Sequence, residues 1–171
     1  ETRESPAGAS WEESDADKLK RLEAILMQDG LSSAEYSAAA DAIAAIAGTT
    51  SGLIKESTVT ALERILNKEV LDSSVYRAAA YAIADIARTT PGDIRTQAFD
   101  ALERVLNKEG LDKYAYYYAA RAIAEIAQTT PEFIKESTVT TLVRILNKEG
   151  LDGNAYYFAA CAITDIAKNT P

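Results

Sequence analysis

The chain repeats one pattern every forty residues, four times over. Leucine recurs at one position and tyrosine at another: Leu22, Leu62, Leu102 and Leu142; Tyr36, Tyr76, Tyr116 and Tyr156. A period of roughly 20–50 residues is typical of stacked arrays, in which each unit buries its apolar face against its neighbours. The sequence therefore predicts one elongated domain. Residues 1–9 are predicted to be a flexible leader. The four repeats are predicted at residues 10–50, 51–90, 91–130 and 131–171, and the repeat at 10–50 is expected to cap the N-terminal end.

Each repeat has the apolar spacing of two amphipathic helices. In repeat two, the first helix is predicted from about Leu53 to Lys68 and the second from about Ser73 to Arg88. One face of the second helix carries tyrosine, alanine and isoleucine in all four repeats. We expect the recurring tyrosines in the core, with their hydroxyl groups reaching water or a backbone partner.

Turn and cap residues mark the helix ends. Gly30, Gly110 and Gly150 suit the left-handed conformation that closes a helix, whereas Val70 at the same position predicts local strain or a different turn. The second helices are expected to begin after Ser32, Asp72, Asp112 and Asp152, which are good N-caps.

The repeat boundaries also predict caps. Thr90-Pro91 and Thr130-Pro131 are predicted to start first helices, with capping boxes at Thr90/Asp93 and Ser10/Glu13. No polar cap is evident on the last helix, so we expect either that the array continues beyond it or that the chain self-associates through this C-terminal end.

Composition removes several classes of function. The chain has no histidine and one cysteine, Cys161, which disfavours His-based catalysis, a disulfide framework and a Cys-based metal site. A net charge of −8 disfavours nucleic acid and anionic membranes as partners. No signal peptide and no membrane-spanning run of about 18 apolar residues is present. We expect a cytoplasmic, non-enzymatic protein without metal or cofactor, and with a partly exposed thiol at Cys161.

The second helix, YRAAAYAIADIARTTPGDI in repeat two, resembles the last helix of an armadillo repeat, which carries an EEAAWALSNIA-like run followed by a turn and proline. The resemblance covers residues 10–171. The glycine and proline that separate the family's first two helices are missing from IKESTVTALERIL, as in HEAT repeats. The resemblance implies an all-α fold: a right-handed, armadillo/HEAT-like α-solenoid of four two-helix repeats.

The four copies differ along one helical stripe of the second helix, predicted opposite its core face. In repeat order, this variable stripe is Ala34, Ser74, Tyr114, Asn154; Ser37, Arg77, Tyr117, Tyr157; Ala38, Ala78, Tyr118, Phe158; Asp41, Tyr81, Arg121, Cys161; Ala45, Asp85, Glu125, Asp165; Gly48, Arg88, Gln128, Lys168. Surface residues of the first helix hardly vary between copies, which argues that exposure alone does not cause the variation. Tyrosine and arginine are the typical residues of interface hot spots.

The stripe is therefore predicted to bind a protein or an extended peptide, centred on repeats three and four. The predicted partner-binding residues are Ser74, Arg77, Tyr81, Asp85, Tyr114, Tyr117, Tyr118, Arg121, Glu125, Asn154, Tyr157, Phe158, Cys161 and Asp165. In the armadillo family this helix lines a groove and an asparagine holds the peptide backbone. Here acidic residues replace that asparagine in repeats two to four, which favours a partner with basic side chains.

Four alternatives to this interpretation exist, of which RNA binding is the least favoured. The chain could be a homotypic assembly or structural module, or an engineered repeat-protein binder, since a near-constant scaffold with a diversified stripe is typical of such libraries. RNA binding through aromatic stacking is disfavoured by the acidic charge balance. Packing of the aromatic side chains between helices would also account for the stripe.

Overall fold

The structure, a computed structural model, describes residues 12–169. Within this range the regular structure is helical, and no strand occurs. The α-helices are α1 (Asp15–Leu26), α2 (Ser33–Thr49), α3 (Glu56–Leu66), α4 (Ser73–Thr89), α5 (Asp93–Asn107), α6 (Lys113–Thr129), α7 (Glu136–Asn147) and α8 (Gly153–Asn169). Two 3-10 helices, Ser51–Leu53 and Pro131–Phe133, precede α3 and α7.

The even-numbered helices confirm the predicted second helix, and each has 17 residues. Ser32 closes a capping box at α2, and the Asp112 carboxylate accepts the amide of Tyr114 at 2.8 Å. Asp72 occupies the N-cap of α4 but its side chain makes no capping hydrogen bond.

A tyrosine hydroxyl joins the two helices of every repeat. Tyr76 donates to the carbonyl of Lys68 at 2.6 Å and accepts the amide of Leu71 at 3.4 Å. The same bonds occur at Tyr36, Tyr116 and Tyr156. These bonds satisfy backbone groups that the helix end and its turn would otherwise leave unpaired. The recurring tyrosines thus tie the turn between the paired helices to the second helix, and the predicted backbone partner is confirmed.

The prediction of one continuous first helix is wrong for repeats two and four. The chain breaks at Ile54-Lys55 between a 3-10 helix and α3, and Ile54 turns into the core. Thr58 stabilises the break, because its hydroxyl accepts the Lys55 amide at 3.3 Å and donates to the Glu23 carboxylate. Repeat three has Ala98 at the position of Thr58, and its helix α5 is continuous from Asp93.

The capping box predicted at Thr90 and Asp93 is also wrong. Gly92, at φ 77°, is the N-cap of α5, while Thr90 is buried with no hydrogen-bond partner for its hydroxyl. Arg95 holds this start by donating to the Ala87 carbonyl at 2.7 Å.

The predicted start of repeat one falls partly outside the described residues, which exclude the leader and Ser10. Helix α1 begins after Ser14, whose hydroxyl accepts the amide of Asp17 at 3.2 Å. Glu13 forms an ion pair with Arg21 at 3.0 Å, and the capping box predicted between Ser10 and Glu13 lies outside the described residues.

The helices pack in two series. Helix α2 packs on α4, α4 on α6 and α6 on α8, while α1, α3, α5 and α7 follow one another in the same order. Each odd-numbered helix also packs on the even-numbered helix that follows it. The even series thus places the variable stripes of successive repeats side by side.

Candidate binding surface

Six aromatic rings of the variable stripe form a continuous cluster across α4, α6 and α8. This ring cluster consists of Tyr81, Tyr114, Tyr117, Tyr118, Tyr157 and Phe158. Tyr118 lies at its centre, with its ring centroid 4.3 Å from that of Tyr117 and 6.3 Å from that of Tyr81. Tyr117 reaches Phe158 on the next helix at 5.5 Å. Because rings from adjacent repeats touch, the cluster is one surface rather than three separate patches.

The cluster is only partly open to solvent. Tyr81, Tyr117, Tyr118 and Phe158 are half-buried, whereas Tyr157 is 61% exposed. Packing between helices therefore accounts for part of the aromatic content, as one of the alternatives stated. Rings fixed by their neighbours lose little side-chain entropy on binding, so the exposed edges are suited to contact a partner.

Two arginines cover the rings. The Arg77 guanidinium lies 5.6 Å from the Tyr81 ring centroid. Arg121 lies 5.5 Å from the Tyr81 ring and 5.2 Å from the Phe158 ring. Its Nη1 also donates to the Tyr117 hydroxyl at 3.3 Å. Such cation–π contacts keep the guanidinium beside the rings at little cost in hydration.

In repeats two and three, the carboxylates of the stripe are paired with these and neighbouring cations. Arg88 forms an ion pair with Asp85 and lies 3.9 Å from Glu125 on the next helix. Arg121 reaches the same Glu125 at 3.6 Å. Asp165 has no Lys or Arg nitrogen within 4.0 Å among the described residues. Of the three carboxylates at this stripe position, Asp85 and Glu125 are thus neutralised by arginines of the protein itself.

Burial and charge shift the protonation equilibria at this surface. Burial, and then the charge of Glu125, raise the pKa of Tyr81, and burial raises the pKa of Tyr118. Burial acts to lower the pKa of Arg121, but the hydrogen bond to Tyr117 and nearby charges outweigh it and raise that pKa. A hydrogen bond to Cys161 raises the pKa of Tyr157. The phenols therefore remain neutral donors at physiological pH.

Two open clefts flank the ring cluster. The cleft between α2 and α4 has a volume of about 320 Å³ and is lined by Ser37, Asp41, Ser74, Arg77, Ala78 and Tyr81. The cleft between α6 and α8 has a volume of about 290 Å³ and is lined by Arg121, Ala124, Glu125, Gln128, Tyr157, Phe158, Cys161 and Asp165. Cys161 is half-buried there as a free thiol. The predicted partial exposure of its thiol is confirmed.

The structure brings most predicted residues together. Ser74 and Asp85 lie on α4 outside the ring contacts, and Asn154 is exposed near the start of α8. The prediction of fourteen residues omitted Arg88 and Asp41. Both occupy stripe positions and could have been included on that basis. The ion pair between Arg88 and Glu125 of the next repeat could not be predicted, because it depends on how α4 packs on α6.

The structure contradicts two expectations about the stripe and about the surface of the first helices. The stripe is not uniformly opposite the core, because Ala78 is buried against α2. The constant first-helix surface is not free either: Glu63 accepts from Arg104 at 2.8 Å, and Lys68 pairs with Asp29 at 2.7 Å. Contacts between repeats account for that constancy, so the stripe's variation must be argued from its chemistry instead.

Among residues 12–169, no three His, Cys, Asp or Glu side chains are arranged to hold a metal ion. No helix in that range is long and apolar enough to cross a membrane. No protein-family model, no characterised protein and no solved structure matches the chain significantly.

Proposed function

We propose that this chain is a non-enzymatic interaction scaffold that binds a peptide segment of a partner protein on the ring cluster. The observation that carries the proposal is the cluster itself, six mutually packed rings with exposed edges that span three helices. Tyrosine and arginine dominate the energetics of protein interfaces, and exposed aromatic patches mark binding sites. Repeat one carries Ser37 and Ala38 where repeats three and four carry two adjacent aromatic residues, and it contributes no ring to the cluster. The proposed binding surface therefore lies on repeats two to four.

The scaffold in this proposal is a right-handed, armadillo/HEAT-like α-solenoid of four two-helix repeats. Packing of α2, α4, α6 and α8 in chain order supports it. Helices in contact lie roughly 8–10 Å apart, so α4 to α8 span about 20 Å. That distance corresponds to roughly six extended residues at about 3.3 Å each.

The chemistry of the surface defines the partner segment. Apolar and aromatic side chains fit the ring edges, and backbone carbonyls can accept from the phenols. Within repeats two to four, Asp85 and Glu125 are engaged by Arg88 and Arg121, which leaves Asp165 available to a basic side chain. The remaining stripe carboxylate, Asp41, lies on repeat one, outside this proposed binding surface. The partner is thus an aromatic-rich segment with one basic residue rather than a polybasic tract.

A displayed library of random peptides tests the proposal, with the chain's own repeat one as the model for the control. In the control, Tyr117 and Tyr157 become Ser while Tyr118 and Phe158 become Ala, the residues found at Ser37 and Ala38. The same scaffold already carries this surface on α2, so the fold should be retained, which circular dichroism verifies. A second control changes Thr60 and Thr140, both exposed on first helices, to Ala.

We expect peptides enriched on the native chain to bind the repeat-one-like variant at least about tenfold more weakly, since several hot-spot residues are removed. The second control should bind them as the native chain does. Peptides that bind all three chains equally, or no enrichment at all, would refute peptide binding on the ring cluster.

A further inference from the structure

The face that repeats one to three turn toward the following repeat is exposed in repeat four. Leu146 is 39% exposed, whereas the equivalent Leu66 is fully buried. Ala160 and Ala167 are exposed, although their counterparts in the preceding repeats are buried. We name this surface the terminal face and define it by Val143 and Leu146 on α7 and Ala160, Ile163, Thr164 and Ala167 on α8.

Two substitutions distinguish the terminal face from the inner faces: Thr164 replaces an alanine on α8, and a valine replaces a glutamate on α7. Repeats one to three carry Glu23, Glu63 and Glu103 where repeat four carries Val143, which is 44% exposed. Each of the three glutamates bonds to the next repeat: Glu23 accepts from Thr58, Glu63 from Arg104 and Glu103 from Thr138. The glutamate accepts a hydrogen bond from the following repeat at each of the three junctions between repeats, which we call the inner junctions. In repeat four an apolar side chain replaces it.

The opposite end of the array carries cations. Thr58, Ala98 and Thr138 are buried at the inner junctions, and the equivalent residue of repeat one is Lys18. Ala61, Ala101 and Thr141 are likewise buried, and their equivalent is Arg21. Arg21 is held by Glu13 at 3.0 Å. Head-to-tail stacking would set the apolar Val143 against Lys18, where the inner junctions provide a glutamate, and would bury the ammonium beside an apolar side chain, which is unfavourable.

We propose that the terminal face is a dimerisation surface on which a second copy of this chain docks tail to tail. In a two-fold arrangement each apolar terminal face meets its own copy, so no charge of the N-terminal end is buried. Because position 143 is valine and not glutamate, two terminal faces can meet without repulsion between like charges at this position. Apolar burial then drives the association.

This surface is separate from most of the ring cluster, so its test is independent of peptide binding. Sedimentation equilibrium of the 171-residue chain from about 1 µM to about 1 mM covers the range in which such a dimer forms. We expect a monomer–dimer equilibrium that varies little with salt, because the joined faces carry few charges.

Val143→Glu is the deciding variant, since it restores the residue of the other three repeats and should fold as they do. In a tail-to-tail dimer it places a carboxylate on each apolar face, and we expect the dissociation constant to rise at least about tenfold. In a head-to-tail assembly the new carboxylate would meet Lys18 and strengthen association. Lys18→Glu is the matched control, expected to leave the dissociation constant within about twofold.

Leu146→Lys provides a second variant on the same face and should also abolish the dimer. A monomer at every concentration would overturn the proposal, as would a mass that keeps growing beyond the dimer. Dimerisation that Val143→Glu leaves intact or strengthens, or that Lys18→Glu abolishes, would equally overturn it.

Discussion

At the scale of single residues, the repeats provide their own comparison series. Gly30, Gly110 and Gly150 close first helices with φ between 76° and 79°, and Val70 occupies the same place at φ 58°. It is the single residue other than glycine with positive φ among those described, and it is 92% exposed. The glycine pattern predicted either strain or a different turn at Val70, and the positive φ shows that the left-handed conformation is kept.

Val70→Gly should therefore stabilise the protein. The left-handed region costs a β-branched residue roughly 1–2 kcal/mol, and the greater freedom of glycine in the unfolded chain offsets about 0.5–1 kcal/mol of that. We expect the free energy of unfolding to rise by up to about 1 kcal/mol, measured from urea denaturation midpoints at unchanged slope. Gly110→Val should shift the midpoint in the opposite direction, and an unchanged or lower midpoint for Val70→Gly would contradict the strain.

At the scale of helices, the sequence was a good guide to the second helices and a poor one to the first. Apolar periodicity predicts α4 locally, even though its N-cap residue Asp72 makes no side-chain capping hydrogen bond. The break before α3 depends instead on Thr58, whose hydroxyl bonds both to Lys55 and to Glu23 of the preceding repeat. Repeat four has the same IKESTV segment and the same break, whereas repeat three has neither. Comparison of these segments could have predicted which repeats contain the break. The contribution of Glu23 could not be predicted, because it depends on how α1 packs on α3.

Thr58→Val tests whether this hydroxyl holds the junction between repeats one and two. Valine matches the shape of threonine but leaves the half-buried Glu23 carboxylate and the Lys55 amide without one partner. We expect the free energy of unfolding to fall by about 1–3 kcal/mol. Thr60→Val, on the exposed side of the same helix, should change it by less than about 0.5 kcal/mol. Equal effects of the two substitutions would show that the hydroxyl bonds contribute little.

At the scale of the whole molecule, the forty-residue period predicted the helix pairs and the positions of the variable stripe. It could not predict how the stripe's side chains meet. Arg121 contacts rings from two neighbouring helices, and Arg88 pairs with a carboxylate on the next one. These contacts depend on the offset between adjacent helices, which no single repeat encodes. Periodicity thus located the candidate surface, and packing determined how much of its charge is left for a partner.

Such an array should not be uniformly stable, because each repeat gains its stability from its neighbours. Helices α4 and α6 are buried against helices on both sides, whereas α8 buries Ala155, Ala159 and Ala162 and leaves its outer side open. Amide hydrogen exchange at low protein concentration should therefore be slowest in α4 and α6 and faster in α1, α7 and α8. Equal protection in all helices would mean that the array opens only as one cooperative unit.

Because a tail-to-tail dimer covers the terminal face, exchange in α7 and α8 should slow as protein concentration rises, while exchange in α1 stays unchanged. Val143→Glu should remove that concentration dependence and leave the protection of α4 and α6 as it was, which separates the stability of the array from its association.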